Sequence, residues 1–153
     1  FEMDEINISD IINGVAKDVS LELEKKNMHI EIDVPENTMM NGNTLQIYSI
    51  FRNLIDNSIL HAGAGATIFI ECYRTDLEYL YFSVADNGVG VDNKHLNKLF
   101  DRFYRVDKGR SRKLGGTGLG LSIVKNSIQF HQGRISAKNC KGGGIEFLFT
   151  LHK

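Results

Sequence analysis

Gly115-Gly116-Thr117-Gly118-Leu119-Gly120-Leu121 runs without a break into the apolar stretch Ser122 to Phe130. A glycine-rich turn that feeds a helix presents backbone N–H groups to an anion, and the positive end of the helix dipole adds to the attraction. Phosphate is the ligand such an arrangement suits. Glycines also end helices and make tight turns, so the stretch draws its weight from two further signals upstream.

Around it the chain divides into clear segments. The spacing predicts a helix from Gly118 to His131, then strands Arg134 to Asn139 and Ile145 to Leu151 joined by the turn Lys141 to Gly144. Before it, Arg102 to Gly116 is basic and glycine-rich with little periodicity, and reads as a mobile loop. Lys108 to Leu114 carries four cations and little to bury, which predicts disorder without a ligand. A short helix is expected from Asp92 to Phe100, and strands at Thr67 to Tyr73 and Tyr79 to Ala85 around the polar turn Arg74 to Glu78.

At the start, Ser9 can cap a helix whose apolar residues Ile12, Val15, Ala16, Val19 and Leu23 recur at helical spacing. Met28 to Val34 alternates as a half-buried strand ended by Pro35. Asn43 with Gln46 resembles a capping box that opens a helix reaching about His61, stopped by Gly63-Ala64-Gly65-Ala66. Five strands with helices between them predict an α+β fold, a two-layer α/β sandwich with helices on one face of a mixed sheet.

Length and composition bound the function. The 153 residues make one domain with 42% hydrophobic and 24% charged residues, ordinary for a globule. A net charge of −1 gives no electrostatic case for nucleic acid or an anionic membrane. No apolar run approaches the roughly 20 residues of a membrane helix. Cys72 and Cys140 form no metal spacing or disulfide framework, so a reducing compartment is the default. The chain opens directly on structured sequence and reads as a piece of something longer.

Two upstream signals join the glycine turn. Asn53 and Asn57, four apart, project from one helix face beside Asp56 and His61, and their amide oxygens are hard ligands of the kind Mg²⁺ accepts. Asp86-Asn87-Gly88-Val89-Gly90 sits where an apolar strand ends. A carboxylate there can accept from an exocyclic amine, while Gly88 and Gly90 let a flat ring approach the backbone. Singly, the asparagines read as solvent-facing helix residues and Asp-Asn-Gly as an ordinary turn. Their order is what carries information.

That order resembles the ATP-binding domain of sensor histidine kinases, within the superfamily of DNA gyrase B, MutL and the heat-shock chaperone ATPases (the Bergerat fold). Asn53 to Asn57 resembles the family's N box, Asp86 to Gly90 its G1 box, Leu99 to Arg105 its F box, and Gly116 to Gly120 its G2 box. His131-Gln132-Gly133 and Gly142 to Gly144 resemble its ending. The F box and Arg105-Val106-Asp107 favour histidine kinases over their cousins.

The resemblance implies a role for each residue. Asp86, with Gly88, Gly90 and His61, would bind adenine, and Asn57 with Asn53 would hold Mg²⁺ against the phosphates. Gly116, Thr117, Gly118, Leu119, Gly120 and Leu121 would line the triphosphate, and Arg105 and Arg110 would reach the β- and γ-phosphates as guanidinium forks. Phe100 and Phe103 would anchor the lid, as well as serving as core aromatics. Leu60 departs from the pattern, standing where the family often has a phosphate-contacting Lys.

It also implies Mg-ATP as cofactor, a separate dimerisation and phosphoacceptor helix domain absent here, and a response-regulator receiver domain as partner. No direct membrane contact is expected of this cytoplasmic domain, although its parent would be anchored in the bacterial inner membrane. The alternatives are a degenerate nucleotide-sensing or docking module, if Leu60 signals decay, and an ATPase of another branch. The latter would need an acid in the N-box helix to activate water, and Asp56 is the nearest.

Overall fold

The computed structural model describes residues 2–106 and 119–153. Its elements are β1 (Asp4–Asn7), α1 (Ile8–Asp18), α2 (Ser20–Lys25), β2 (His29–Asp33), β3 (Met39–Gly42), α3 (Thr44–His61), β4 (Thr67–Thr75) and β5 (Tyr79–Asp86), then a 3-10 helix (Asn93–Lys98), α4 (Gly120–Phe130), β6 (Ile135–Asn139) and β7 (Ile145–His152). Five strands form one mixed sheet in the order β2-β4-β5-β7-β6, with β2 parallel to β4 and the other neighbours antiparallel. The α+β expectation holds.

Alternation explains the two layers. On β5, Leu80, Phe82, Val84 and Asp86 are buried, and on β7 so are Ile145, Phe147, Phe149 and Leu151. Ile68 and Ile70 of β4 extend that face. Helices α1, α3 and α4 cover it with Ile12, Val15, Ile47, Ile50, Leu54, Val124 and Ile128. Phe51 locks α3 to the sheet, lying edge-on to Phe82 at 5.4 Å and to Phe149 at 5.6 Å, while Phe82 and Phe149 stack at 5.5 Å. Helix α3 is thereby seated over β5 and β7, which sets where its polar face emerges.

Several local expectations need correction. The first helix is capped by Asn7, whose Oδ1 accepts from the Asp10 N–H at 3.4 Å, and Ser9 instead donates to Asn7. That helix breaks at Val19 into α1 and α2, although Val15, Val19 and Leu23 continue one buried stripe. The expected short helix is of the 3-10 kind. Strands β1 and β3, four residues each, pair antiparallel as a separate two-stranded sheet that no periodicity announced. Asn43 caps α3 as expected, its Oδ1 accepting from the Gln46 N–H at 2.9 Å.

Candidate functional site

The polar face of α3 meets the start of α4. Asn53 donates through Nδ2 to the Ser49 carbonyl at 2.8 Å and to Ser49 Oγ at 3.0 Å. Its amide oxygen faces Gly120, where an added Cβ would lie only 3.1 Å from it. Asn57, one turn further along, is likewise half-buried. Leu119, the residue before α4, makes no side-chain cap hydrogen bond. Gly120 of the phosphate stretch thus lies against Asn53.

The other centre is Asp86, at the end of β5 and only 4% exposed. Its Oδ2 accepts from the Ser58 hydroxyl at 2.7 Å. Its Oδ1 accepts from the Gly88 N–H at 3.0 Å and, more weakly, from the Ile145 N–H at 3.4 Å. A buried carboxylate is tolerated only with donors of this kind.

The glycines around Asp86 answer to protein packing. A Cβ on Gly88 would lie 2.3 Å from the Ala62 carbonyl oxygen at the end of α3. Gly90 has φ +68°, with Asn139 Oδ1 2.8 Å from its missing Cβ. Gly144, at φ +95°, presses so closely on the Asp86 carbonyl that a side chain there would overlap it at 1.8 Å. Asn139 completes the clamp, accepting from the Val91 N–H at 3.1 Å and donating to the Val91 carbonyl at 2.5 Å. Gly88 thus makes room for the backbone at the end of α3, and Gly90 for Asn139 and the Gly144 turn.

His61 is exposed on the last turn of α3, and Leu60 beside it is half-buried. Arg105 is half-buried after Tyr104, whose hydroxyl bonds His95 Nδ1. Phe100 does anchor its segment, lying edge-on to Phe147 at 6.1 Å. Phe103 does not. It is 61% exposed at φ +64°, with the Arg102 guanidinium 5.3 Å from its ring centre. Arg110, Gly116, Thr117 and Gly118, with the expected mobile lid from Lys108 to Leu114, lie outside the described residues.

An amide oxygen such as that of Asn53 is of the hard type that suits a cation sharing phosphate oxygens. With Nδ2 committed to Ser49, the Asn53 oxygen is left as acceptor toward the α4 terminus. Among the described residues no group of three or more His, Cys, Asp or Glu could hold a metal unaided.

Residues 42–153 match the family described as histidine kinase-, DNA gyrase B-, and HSP90-like ATPases. The chain belongs to that family. It is 37% identical over 147 residues to the phosphate regulon sensor protein PhoR of Haemophilus influenzae, covering 96% of this chain and 34% of PhoR. It is 40% identical over 130 residues to the sensor histidine kinase WalK of Bacillus subtilis, covering 84% of this chain and 20% of WalK. The chain thus spans about a third or less of these relatives. The catalytic domain of histidine kinase ThkA, nucleotide-free, superposes with a TM-score of 0.87 at 25% identity, covering 100% of this chain and 97% of that one. ThkA in complex with response regulator protein TrrA gives 0.79 at 24% identity, covering 99% of this chain and 42% of that one.

Membership of this ATPase family implies nucleotide binding. Ser58 was not singled out from the sequence, although one signal was present. It interrupts the apolar positions Leu54, Ile55 and Ile59 on the buried side of α3. A serine in such a stripe needs a partner. Gly144 was marked only as part of a turn and of the family-like ending, and the backbone of Ile145 carried no local mark.

Proposed function

We propose that this chain is the ATP-binding catalytic domain of a sensor histidine kinase. In this reading it binds Mg-ATP and passes the γ-phosphoryl to a histidine on a separate dimerisation-helix domain, for relay to an Asp of a response regulator. The observation that carries the reading is the pairing of two unlike polar centres along one helix. Ser58, at the Asp86 carboxylate, lies five residues and about 7.5 Å along α3 from Asn53, which faces Gly120 at the start of α4. That arrangement suits a nucleotide with its base at Asp86 and its phosphates at α4.

Asp86 would accept from the adenine amine. Asn53 and Asn57 would offer oxygens to Mg²⁺, which when bound neutralises charge on the phosphates. The first N–H groups of α4, with Gly116, Thr117 and Gly118 before them, would receive phosphate oxygens. Arg105 and Arg110 would stabilise charge as it develops in transfer, which asks a protein mainly for positioning. The complex of ThkA with TrrA supports a receiver domain as partner. An ATPase using Asp56 as base has less support, because Arg52 Nε already holds both Asp56 oxygens at 3.1 Å. The names of the relatives also support a parent protein that senses.

Calorimetric titration with a non-hydrolysable ATP analogue tests the reading. Binding is expected to strengthen with Mg²⁺ and to fall at least tenfold in Asp86→Asn, which replaces an acceptor oxygen by an N–H donor. No binding at millimolar ligand would overturn it.

A further inference from the structure

Ser58 is 2% exposed on an α-helix, where the simplest fate of a serine hydroxyl is to donate back to the carbonyl four residues earlier. It does not do so. The hydroxyl crosses to another element 28 residues away and donates to Asp86 Oδ2 at 2.7 Å. Alanine would fill the position with better helix propensity, so local structure gives the oxygen no purpose. Its purpose lies in the carboxylate.

Asp86 has two oxygens and about four lone-pair sites. The Gly88 and Ile145 N–H groups engage Oδ1 from the loop side, and Ser58 takes one site of Oδ2 from the helix side. The carboxylate plane is thereby held from both directions. We propose that Ser58 is a specificity-determining positioning residue. It fixes Asp86 so that the remaining acceptor site of Oδ2 receives one N–H of a 6-amino purine and repels a 6-oxo purine. This rests on the nucleotide reading above and assigns base selection within it.

Without the hydroxyl, Oδ2 loses the partner that sets its direction. The carboxylate can then rotate about its last bond or recruit water, and an incoming amine no longer meets an oriented acceptor. Discrimination falls more than affinity for a base that makes no such bond.

The test compares ATP, inosine triphosphate and purine riboside triphosphate, which lacks any 6-substituent, on the chain and on Ser58→Ala and Ser58→Thr. Dissociation constants are measured by competition against one fluorescent nucleotide, with thermal unfolding recorded for each variant. In the unmodified chain ATP is expected to bind best. Ser58→Ala is expected to weaken ATP about five- to tenfold while changing purine riboside triphosphate less than twofold. Ser58→Thr, which keeps the hydroxyl, is expected to restore the ATP preference. Equal weakening of all three nucleotides by Ser58→Ala would make the residue merely structural and overturn the proposal, as would an unchanged ratio. A chain that binds ATP without preferring it over inosine triphosphate overturns the proposal and leaves the nucleotide reading standing. A chain that binds none overturns both.

Discussion

Asp76 closes the hairpin between β4 and β5 with nearly all its acceptor capacity engaged. Oδ1 accepts from the N–H groups of Glu78 and Tyr79 at 2.9 and 2.7 Å, and Oδ2 accepts from the Tyr81 hydroxyl at 2.7 Å. The Tyr81 hydroxyl, then the two N–H groups, hold its carboxyl at about 2 against an ordinary 3.8. The folded value is below the unfolded one, so the stabilisation is present above about pH 4 and is lost as the pH falls through about 2. Tyr81→Phe removes the largest cause and is expected to move the Asp76 midpoint upward, read by NMR of its carboxyl carbon. An unmoved midpoint would assign the depression to the backbone alone. The polar turn Arg74 to Glu78 was legible in the sequence, because Asp forms such turns from its own side chain. The tyrosine's share was not, since it depends on the strand returning.

At the scale of elements, His131 joins the end of α4 to the start of α3. It is 3% exposed, with Nδ1 donating to the Ser127 carbonyl at 2.8 Å and Nε2 accepting from the Asn43 N–H at 3.0 Å. Those partners assign a neutral ring with its proton on Nδ1. The His131 carbonyl also accepts from the His152 N–H at 3.1 Å, which ties the same corner to β7. His131→Phe preserves the ring but leaves the Asn43 N–H buried and unpaired, at a cost of about 1–3 kcal/mol. A lower denaturant midpoint and faster hydrogen exchange at Asn43 are expected, and unchanged values for both would refute the clamp. The sequence marked Asn43 as a cap and His131 as the last residue of a helix. Their bond spans 88 residues and has no local signature.

Over the whole molecule, the sheet order β2-β4-β5-β7-β6 brings the halves of the site together. Asp86 ends a central strand, Gly144 and Ile145 open its neighbour, and α3 lies above with Asn53 toward α4. Among the described residues no helix is long and apolar enough to cross a membrane. Two histidines are poorly placed as internal phosphoacceptors. His131 has both nitrogens engaged, and His95 bonds Tyr104 through Nδ1. Incubating the chain alone with γ-labelled ATP is therefore expected to give no acid-labile phosphohistidine. Stoichiometric label on the chain would show that it carries its own acceptor.

The family motifs were legible by resemblance, and the sequence by itself determined where the five main strands lie along the chain, the Asn43 cap and the α+β class. These rest on caps, turns and periods of two or 3.6 residues, all written within about a dozen positions. Only the tertiary structure decided the β1–β3 pair, the parallel register of β2 with β4, the Ser58 bond to Asp86, and the packing that demands Gly88 and Gly144. Each of these joins segments distant in the chain, and a contact between distant residues leaves no period in either of them.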